Sequence, residues 1–443
     1  NHTEGFTELS ERVQEYSPEK VEGITGVDKE TIRKFAAIYA DSKPSFIYAG
    51  SGMQHHTNGG MMIRTIACLP GLVGAWKHPG GGMFYPTSEA FPIQWDILEG
   101  NDLCPDSPRS INMNRLGHTL LHEDPGIYGL FIYNSNPAAV LFNQRKVIAG
   151  LEREDLFTVV HEQLLTDTTR YADIVLPATT EFEHTDLHYS YFHLSLQLNE
   201  PVIEPLGESR PNIDTFNTLA KSMGFQDSCF DDTAIDTINS ALGVDSCYLR
   251  GITLERLRDE GAIRLNMPGE FHIPYRDLKF YTPSGKIEFY SDKMKGDGYD
   301  PLPAHIPIGE GPLTSPDLYE KYPVYLLTPS AKSFLNSNFA NIREQGSEEE
   351  PILELNSLDA GRRGIKTGDK VRVFNERGEC ALMASVGDYL KEGVAINKGI
   401  WWNSLSPGGC NSNQTTPDRL ADMGGGSTYN TNLVQIEKVN SPV

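Results

Sequence analysis

The sequence predicts an α/β fold in its first half, with parallel-sheet segments of αβα type, and an all-β barrel at its C-terminal end. Three observations carry this. First, residues 44–50, "PSFIYAG", read as a strand that enters a glycine-rich loop, "GSGMQHHTNGG", and then an apolar helical run, "MMIRTIACLPGLVGAW". Second, the same order recurs in "GLFIYNSNPAAVLFNQRKVIAG", and two more apolar strands follow in "LFTVVHEQ" and "DIVLPA". Continuous apolar strands separated by helical spacers belong to parallel sheets covered on both faces. Third, turn signals recur at close intervals at Lys366–Asp369, Glu376–Gly378 and Lys391–Gly393, the punctuation of short barrel strands.

Taken in order, residues 18–40 predict two short helices, the second N-capped by Asp28 with Thr31, Ile32, Phe35 and Ala36 setting its period. Ser45–Ala49 form the first strand. Leu130–Tyr133 form another, followed by the polar turn Asn134–Asn136 and a helix opened by Pro137 at its first position. Residues 197–310 are less periodic and richer in Pro and Gly, and read as loops with a few helices. The character changes again near Gly311, where a domain boundary is expected. Ile365, Val371, Val373, Ala395 and Ile400 are the candidate barrel core.

A chain of 443 residues corresponds to roughly three domains of about 150 residues each. Its hydrophobic fraction of 39% provides an ample core, and its mean hydropathy is -0.38. A net charge of -22 argues against nucleic acid or an anionic membrane as partner. Lys and Arg are scattered, so an anionic ligand would be held mainly by backbone amides and hydroxyls. No apolar segment approaches the ~20 residues of a membrane helix. The opening "NHTEGFTELSERVQEY" is neither an initiator methionine nor a signal peptide, and reads like the interior of a longer chain. The 6 cysteines form no CxxC pair, so neither a zinc ribbon nor an iron–sulfur site is supported. Most are expected to be buried free thiols.

In open parallel sheets, ligands sit beyond the carboxyl ends of the strands. Thr166 and Asp167 follow one such end, and Thr179–Asp186 follow another; ordinary solvated loops remain the alternative reading. In "GSGMQHH", His55 stands where a third glycine would complete a dinucleotide fingerprint. The loop amides could still cradle a phosphate, against a simple tight turn. His184, His188 and His193 could form a zinc site with Glu183 or Asp186, the first two on one helix face. The intervening aromatics and the lack of HExxH favour packing, so no metal ligand is assigned. "TPSAKSFLNSNFAN" and "GGCNSNQTTPDRLADMGGGSTYN" add small polar side chains that suit a large ligand rich in oxygen and nitrogen.

Taken together and in this order, "GSGMQHHTNGG", "YNSNPAAV", "TDTTRYADIVLPATTEFEHTD", "GIKTGDKVRVFNERGE" and "NQTTPDRLADMGGG" resemble the molybdopterin oxidoreductases of the dimethyl sulfoxide reductase type. The resemblance implies doubly wound αβα nucleotide-binding segments followed by a C-terminal double-psi β-barrel. It divides the chain into 1–50, the end of one αβα domain; 51–196, an αβα dinucleotide-binding segment; 197–310, a connecting region; and 311–443, the barrel. It implies two molybdopterin guanine dinucleotides holding molybdenum or tungsten. The family's iron–sulfur cluster and the residue that ligates the metal are expected to lie in an N-terminal part that this chain lacks, so catalytic residues stay unassigned.

The cofactor-binding candidates are Gly50, Ser51, Gly52, Gln54 and His55; Asn134, Ser135 and Asn136; Thr166, Asp167 and Asp186; Thr328, Ser330, Ser333, Asn336 and Asn338; and Asn411, Asn413 and Thr416. Asp167 or Asp186 would accept the N1–H and N2–H₂ donors of guanine. The function implied is oxo transfer or two-electron redox on a small-molecule substrate, with an electron-transfer iron–sulfur subunit as a possible partner, and this chain inactive alone. The competing reading is a non-catalytic scaffold such as the large iron–sulfur subunit of respiratory complex one. A third, an ordinary nucleotide-dependent enzyme with a barrel appendage, is opposed by the failed fingerprint. Cytoplasmic and periplasmic locations both stay open.

Overall fold

The computed structural model describes residues 2–85, 91–93, 95–101, 103–104, 108–191, 193–269, 273–342 and 351–439. The chain divides into two compact units: Asn1–Thr87, Met267–Pro307 and Ala421–Gly426 form unit 1; Ser88–Asn266, Ile308–Leu420 and Ser427–Val443 form unit 2. Among the described residues no helix is long and apolar enough to cross a membrane.

Unit 1 begins with β1 (Thr3–Glu4), α1 (Phe6–Arg12), α2 (Pro18–Thr25) and α3 (Lys29–Asp41), followed by β2 (Phe46–Tyr48), α4 (Gly59–Val73) and β3 (Gly82–Phe84). Asp28 caps α3 as expected, its carboxylate accepting the Thr31 amide at 2.8 Å. The helical period is also present, but α3 buries no residue and Phe35 is 66% exposed. Among the described residues β2 pairs in parallel with β3 alone, which leaves each strand of this pair without a second strand neighbour.

Unit 2 opens with α5 (Trp95–Leu98), α6 (Leu116–His122), β4 (Gly129–Tyr133), α7 (Pro137–Val140), α8 (Gln144–Leu151), β5 (Phe157–Glu162) and β6 (Ile174–Pro177). β4, β5 and β6 form a parallel sheet with β5 in the middle, Ile132 opposite Val160 and Val160 opposite Val175. Side chains alternate across a strand. Ile132 and Val160 accordingly pack with Leu120, Leu141, Val147 and Leu151 from the α6–α8 side. Phe131 and Tyr133 point the other way, their rings 5.1 and 4.9 Å from Phe216 on α9 (Asn212–Ser222). Helices thus cover both faces of β4. The expectation of full coverage fails at β6, where Ile174 and Val175 are 44% and 38% exposed, because among the described residues these two positions have a strand neighbour only on the β5 side.

Next come β7 (Asp186–His188), β8 (Ser195–Asn199) and β9 (Ala262–Arg264), an antiparallel sheet. β7 corrects the reading of His184 and His188 as neighbours on a helix face: His188 lies in a strand, where the period is 2 rather than 3.6. β10 (Ile287–Glu288) returns to unit 1 and pairs with β1.

The barrel comprises β11 (Val324–Leu327), β12 (Ile352–Asn356), β13 (Lys370–Phe374), β14 (Glu379–Gly387), β15 (Val394–Asn397) and β16 (Leu433–Lys438). It closes in the order β11-β15-β12-β14-β13-β16, with β11·β15 and β12·β14 parallel and the other pairs antiparallel. Its interior holds Leu326, Leu353, Leu355, Ile365, Val371, Val373, Leu382, Ala395 and Val434. Of the candidate core, Ile365, Val371, Val373 and Ala395 lie in this cluster, and Ile400 is buried. The glycines of the two flanking turns are required by their backbone, with φ of 86° at Gly368 and 81° at Gly393. All 6 cysteines are free, but only Cys68 and Cys380 are buried; Cys104 and Cys247 are exposed, against the expectation that most are buried.

Candidate cofactor-binding site

The carboxyl ends of β4 and β5 are joined by a buried polar frame. Asn136 directs its Oδ1 to Thr168, accepting from the amide at 3.2 Å and the hydroxyl at 2.7 Å. The Thr168 hydroxyl in turn accepts the Ala138 amide at 3.1 Å. Asp167 is 3% exposed, and its two carboxylate oxygens accept the backbone amides of Asn403 and Ser404. A carboxylate satisfied by amides 236 and 237 residues away ties the sheet to the barrel. Asp167 thus has a structural task that the sequence reading had not foreseen.

The segment 411–416 is equally committed. α7 is a single turn opened by Pro137, and its last carbonyls have no partner within the helix. Side chains supply the missing donors. Gln144 and Asn403 donate to the Ala138 carbonyl at 2.7 and 3.1 Å, and Asn411 donates to Ala139 at 2.9 Å and Trp401 at 2.7 Å. Asn413 and the Tyr429 hydroxyl donate to Val140 at 2.8 and 3.0 Å. Burial pushes the Tyr429 phenol up to about 12, which keeps it a donor. The Thr416 carbonyl accepts the Asn143 amide at 3.0 Å. Asn411 and Thr416, read from sequence as ligand contacts, are therefore placed inside the protein's own bonding, whereas Asn413 commits only its Nδ2 and keeps a buried Oδ1 without a partner.

The other barrel loop differs. Ser330, Ser333, Asn336 and Asn338 are exposed, and Asn336 takes a left-handed φ of 50°. They sit over an apolar floor in which Phe334 meets Trp401 edge-on at 4.9 Å, while Trp402 donates to the Ser337 carbonyl at 2.8 Å. Thr328 donates its amide to Asn430 at 3.3 Å. Asn134, with φ 50°, and Ser135 occupy the turn after β4.

On the β6 side, Thr179 meets His184 Nδ1 at 3.0 Å, and Asp186 is exposed, its Oδ2 4.0 Å from His184 Nε2. Glu183 is buried. It accepts the Thr180 amide at 2.6 Å and hydroxyl at 2.7 Å and the Leu206 amide at 2.6 Å, and these bonds hold its carboxyl below the usual range. Glu162, at the end of β5, shifts the other way because burial raises its carboxyl. Among the described residues no group of three or more His, Cys, Asp or Glu is placed to hold a metal ion.

In unit 1, Gly50 leads into a 3₁₀ turn, Ser51–Gln54, and Gln54 accepts the Tyr85 hydroxyl. Gly50, Ser51, Gly52 and Gln54 are exposed, and His55 is half-buried. The N-terminus of α4 that follows the loop meets a carboxylate: Asp422 accepts the Gly60 amide at 2.7 Å and the Met61 amide at 3.1 Å. Within the loop, the Met53 and His55 amides donate to the Gly50 and Gly52 carbonyls at 3.3 Å.

Sequence reasoning missed Asn403, Asp422 and Glu162. Asn403 and Asp422 act on backbone that is remote in sequence, so no local pattern marks them. Glu162 was visible as a strand-end acid. A cleft of about 810 Å³ in unit 2, lined by residues that include Lys146, Glu310, Arg377 and Asp418, contains none of the candidates. Two ion pairs lie in it, Arg377 with Glu310 at 2.8 and 3.1 Å and Lys146 with Asp418 at 2.8 Å.

The polar frame fits a heteroatom-rich ligand on one further ground. Asn136 Nδ2, Thr166 Oγ1, Thr328 Oγ1 and Asn403 Oδ1 are buried and lack any hydrogen-bond partner. One amide donor, one amide acceptor and two hydroxyls, each costing about 1–3 kcal/mol while unsatisfied, are left at the strand ends and the barrel mouth.

Parallel αβα layers joined to a closed barrel define an α/β protein of the nucleotide-cofactor-binding kind. Residues 25–222 match the molybdopterin oxidoreductase family, and residues 324–433 match the molydopterin dinucleotide binding domain. The chain belongs to the molybdopterin oxidoreductase family. It is 44% identical to the probable oxidoreductase YoaE of Bacillus subtilis, over 99% of this chain and 63% of that protein. It is 29% identical to the dimethyl sulfoxide reductase DmsA of Escherichia coli, over 96% of this chain and 57% of that protein. Acetylene hydratase from Pelobacter acetylenicus has the same fold, with a TM-score of 0.77 at 23% identity over 99% of this chain and 67% of that chain. The chain thus spans about 57–63% of the length of these two relatives.

Proposed function

We propose that this chain forms the cofactor-holding part of a molybdenum or tungsten enzyme that carries two molybdopterin guanine dinucleotides and performs oxo transfer or two-electron redox on a small molecule. The observation that carries the proposal is the set of orphaned polar atoms at the β4 and β5 ends and the barrel mouth, in a chain whose barrel matches a dinucleotide-binding domain. When bound, such a cofactor supplies the redox chemistry at its metal, and the protein contributes placement and electrostatics.

Each group of residues has a share in this reading. Asn136 Nδ2, Thr166 and Asn403 Oδ1 would complete their hydrogen bonding on cofactor heteroatoms, joined by Asn134 and Ser135. The exposed side chains of Ser330, Ser333, Asn336 and Asn338 would bond the pterin or its phosphate, as would Thr328. Gly50, Ser51, Gly52 and Gln54 would hold a phosphate or base through backbone and side-chain groups of the loop, and His55 through its half-buried side chain. Of the two candidate guanine readers, Asp186 is favoured, since it is exposed and its Oδ2 meets only His184 Nε2, at 4.0 Å, whereas both oxygens of Asp167 already accept amides. The 443-residue chain alone is expected to be silent, with an iron–sulfur electron-transfer subunit as partner of the complete enzyme.

The test is elemental analysis of the complete protein for molybdenum and tungsten, with release of pterin and guanosine monophosphate by acid. About two guanine nucleotides per metal is the expected result. Absence of both metal and pterin would instead support the scaffold reading.

A further inference from the structure

We infer that Asp422 is a positioning residue for the glycine-rich loop Gly50–His55, acting by capping α4 in place of that helix's own N-cap. The inference rests on the proposed cofactor reading and goes beyond it, since Asp422 touches no cofactor.

α4 has 15 residues and begins at Gly59, so Asn58 is its N-cap. Asparagine is among the best capping residues, yet Asn58 makes no cap bond: its Nδ2 donates to the Ile306 carbonyl at 2.5 Å, and its Oδ1 is buried without a partner. The first amides of α4 would be left open at the positive end of the helix dipole. Asp422, 362 residues away, accepts two of them through separate oxygens. Three further bonds hold the carboxylate in place. The Asp422 amide donates to the Thr57 carbonyl at 2.9 Å, the Tyr299 hydroxyl donates to the Asp422 carbonyl at 2.6 Å, and the Ala421 amide donates to Gly426 at 2.9 Å.

The glycines around this contact are required by distance. A Cβ on Gly60 would lie 2.5 Å from the Met423 side chain, and one on Gly59 would lie 2.3 Å from the Gln54 carbonyl oxygen. Asp422 therefore fixes the start of α4, and Gly59 seats the end of the 3₁₀ turn directly against it. The turn carries Ser51, Gly52 and Gln54, so the orientation of its amides depends on a carboxylate that is not part of the loop. A ligand anion is accordingly assigned to the turn and excluded from the helix end.

The test compares Asp422→Ala, Asp422→Asn and wild type in the complete protein. Hydrogen exchange is followed in peptides spanning residues 50–62, with and without added acetate, and bound guanine nucleotide is measured after acid release. In Asp422→Ala, exchange at 57–62 should rise at least tenfold, nucleotide retention should fall several-fold, and acetate should restore part of both by filling the vacated amide pair. Asp422→Asn keeps one acceptor and should fall between the two. Unchanged exchange at 57–62 in Asp422→Ala overturns the inference, and so does raised exchange that acetate leaves untouched. If Asp422→Ala does not fold, Asp422→Asn decides by the same readout. Should wild type hold no guanine nucleotide, the cofactor reading falls, while the exchange and acetate arm still decides the role of Asp422.

Discussion

In the barrel, Leu353, Val371 and Val373 are fully buried, whereas Ile174 and Val175 of β6 are 44% and 38% exposed. The strands "KVRVF" and "DIVLP" look equally suited to a core, so composition does not explain the contrast. Closure does. Every barrel strand bonds a neighbour on each side and turns one face inward, so alternation alone completes a core. Among the described residues β6 pairs along its length with β5 alone, only Pro177 at its end meeting Arg210, and β2 pairs with β3 alone. Open edges leave apolar side chains without neighbours even where the local pattern is right.

Four experiments sharpen this comparison. The largest effect is expected where the barrel holds an ion pair. Glu310 is 1% exposed, is gripped by Arg377 and also accepts the Leu433 amide at 3.2 Å. Glu310→Gln removes the buried partner of Arg377 and leaves it as counterion only the exposed Glu376 at 3.0 Å, and should cost about 3–5 kcal/mol in urea unfolding. A loss below about 1 kcal/mol would show that the pair is dispensable.

Leu353→Ala should cost about 2–5 kcal/mol, since a closed barrel cannot collapse around the cavity. Ile174→Ala on the open edge should cost well under half of that, and equal losses would refute the contrast between closure and open edge. Asp167→Asn comes next. It sets an amide donor against the Asn403 or Ser404 amide and should cost about 1–3 kcal/mol, with faster exchange at residues 401–405. An effect confined to cofactor content, with stability and exchange unchanged, would restore Asp167 as a guanine reader.

The smallest effect depends on pH. Glu183 has its carboxyl lowered from the usual 4.5 by the Thr180 and Leu206 bonds. Its contribution is therefore fully present above pH 4.5 and is lost as pH falls through the lower folded value. The gap in melting temperature between wild type and Glu183→Gln should be constant from pH 7 to about 5 and close toward pH 3. A gap that widens on acidification would reverse the assignment.

What the sequence alone determined is local. Asp28 caps the helix that follows it, Pro137 opens α7, and Gly368 and Gly393 sit where left-handed turns require them. The barrel residues Ile365, Val371, Val373 and Ala395 were legible because alternation with a period of 2 needs only neighbours in the chain. The order of motifs likewise marked the family before any coordinate was known.

The tertiary structure decided which polar groups remain available. Asn411 and Thr416 have the composition of ligand contacts, yet they seal the end of α7, and Asn413 joins them through its Nδ2 while its Oδ1 is left without a partner. Asp167 resembles a guanine reader, yet it holds the Asn403 and Ser404 amides. Asp422 drew no notice within "ADMGGG", yet it caps α4. A carboxylate or amide side chain carries no mark of the partner it will meet, and these partners lie 236 to 362 residues away. Only chain closure brings them within hydrogen-bonding distance, and the groups left over after that closure are the ones a cofactor can use.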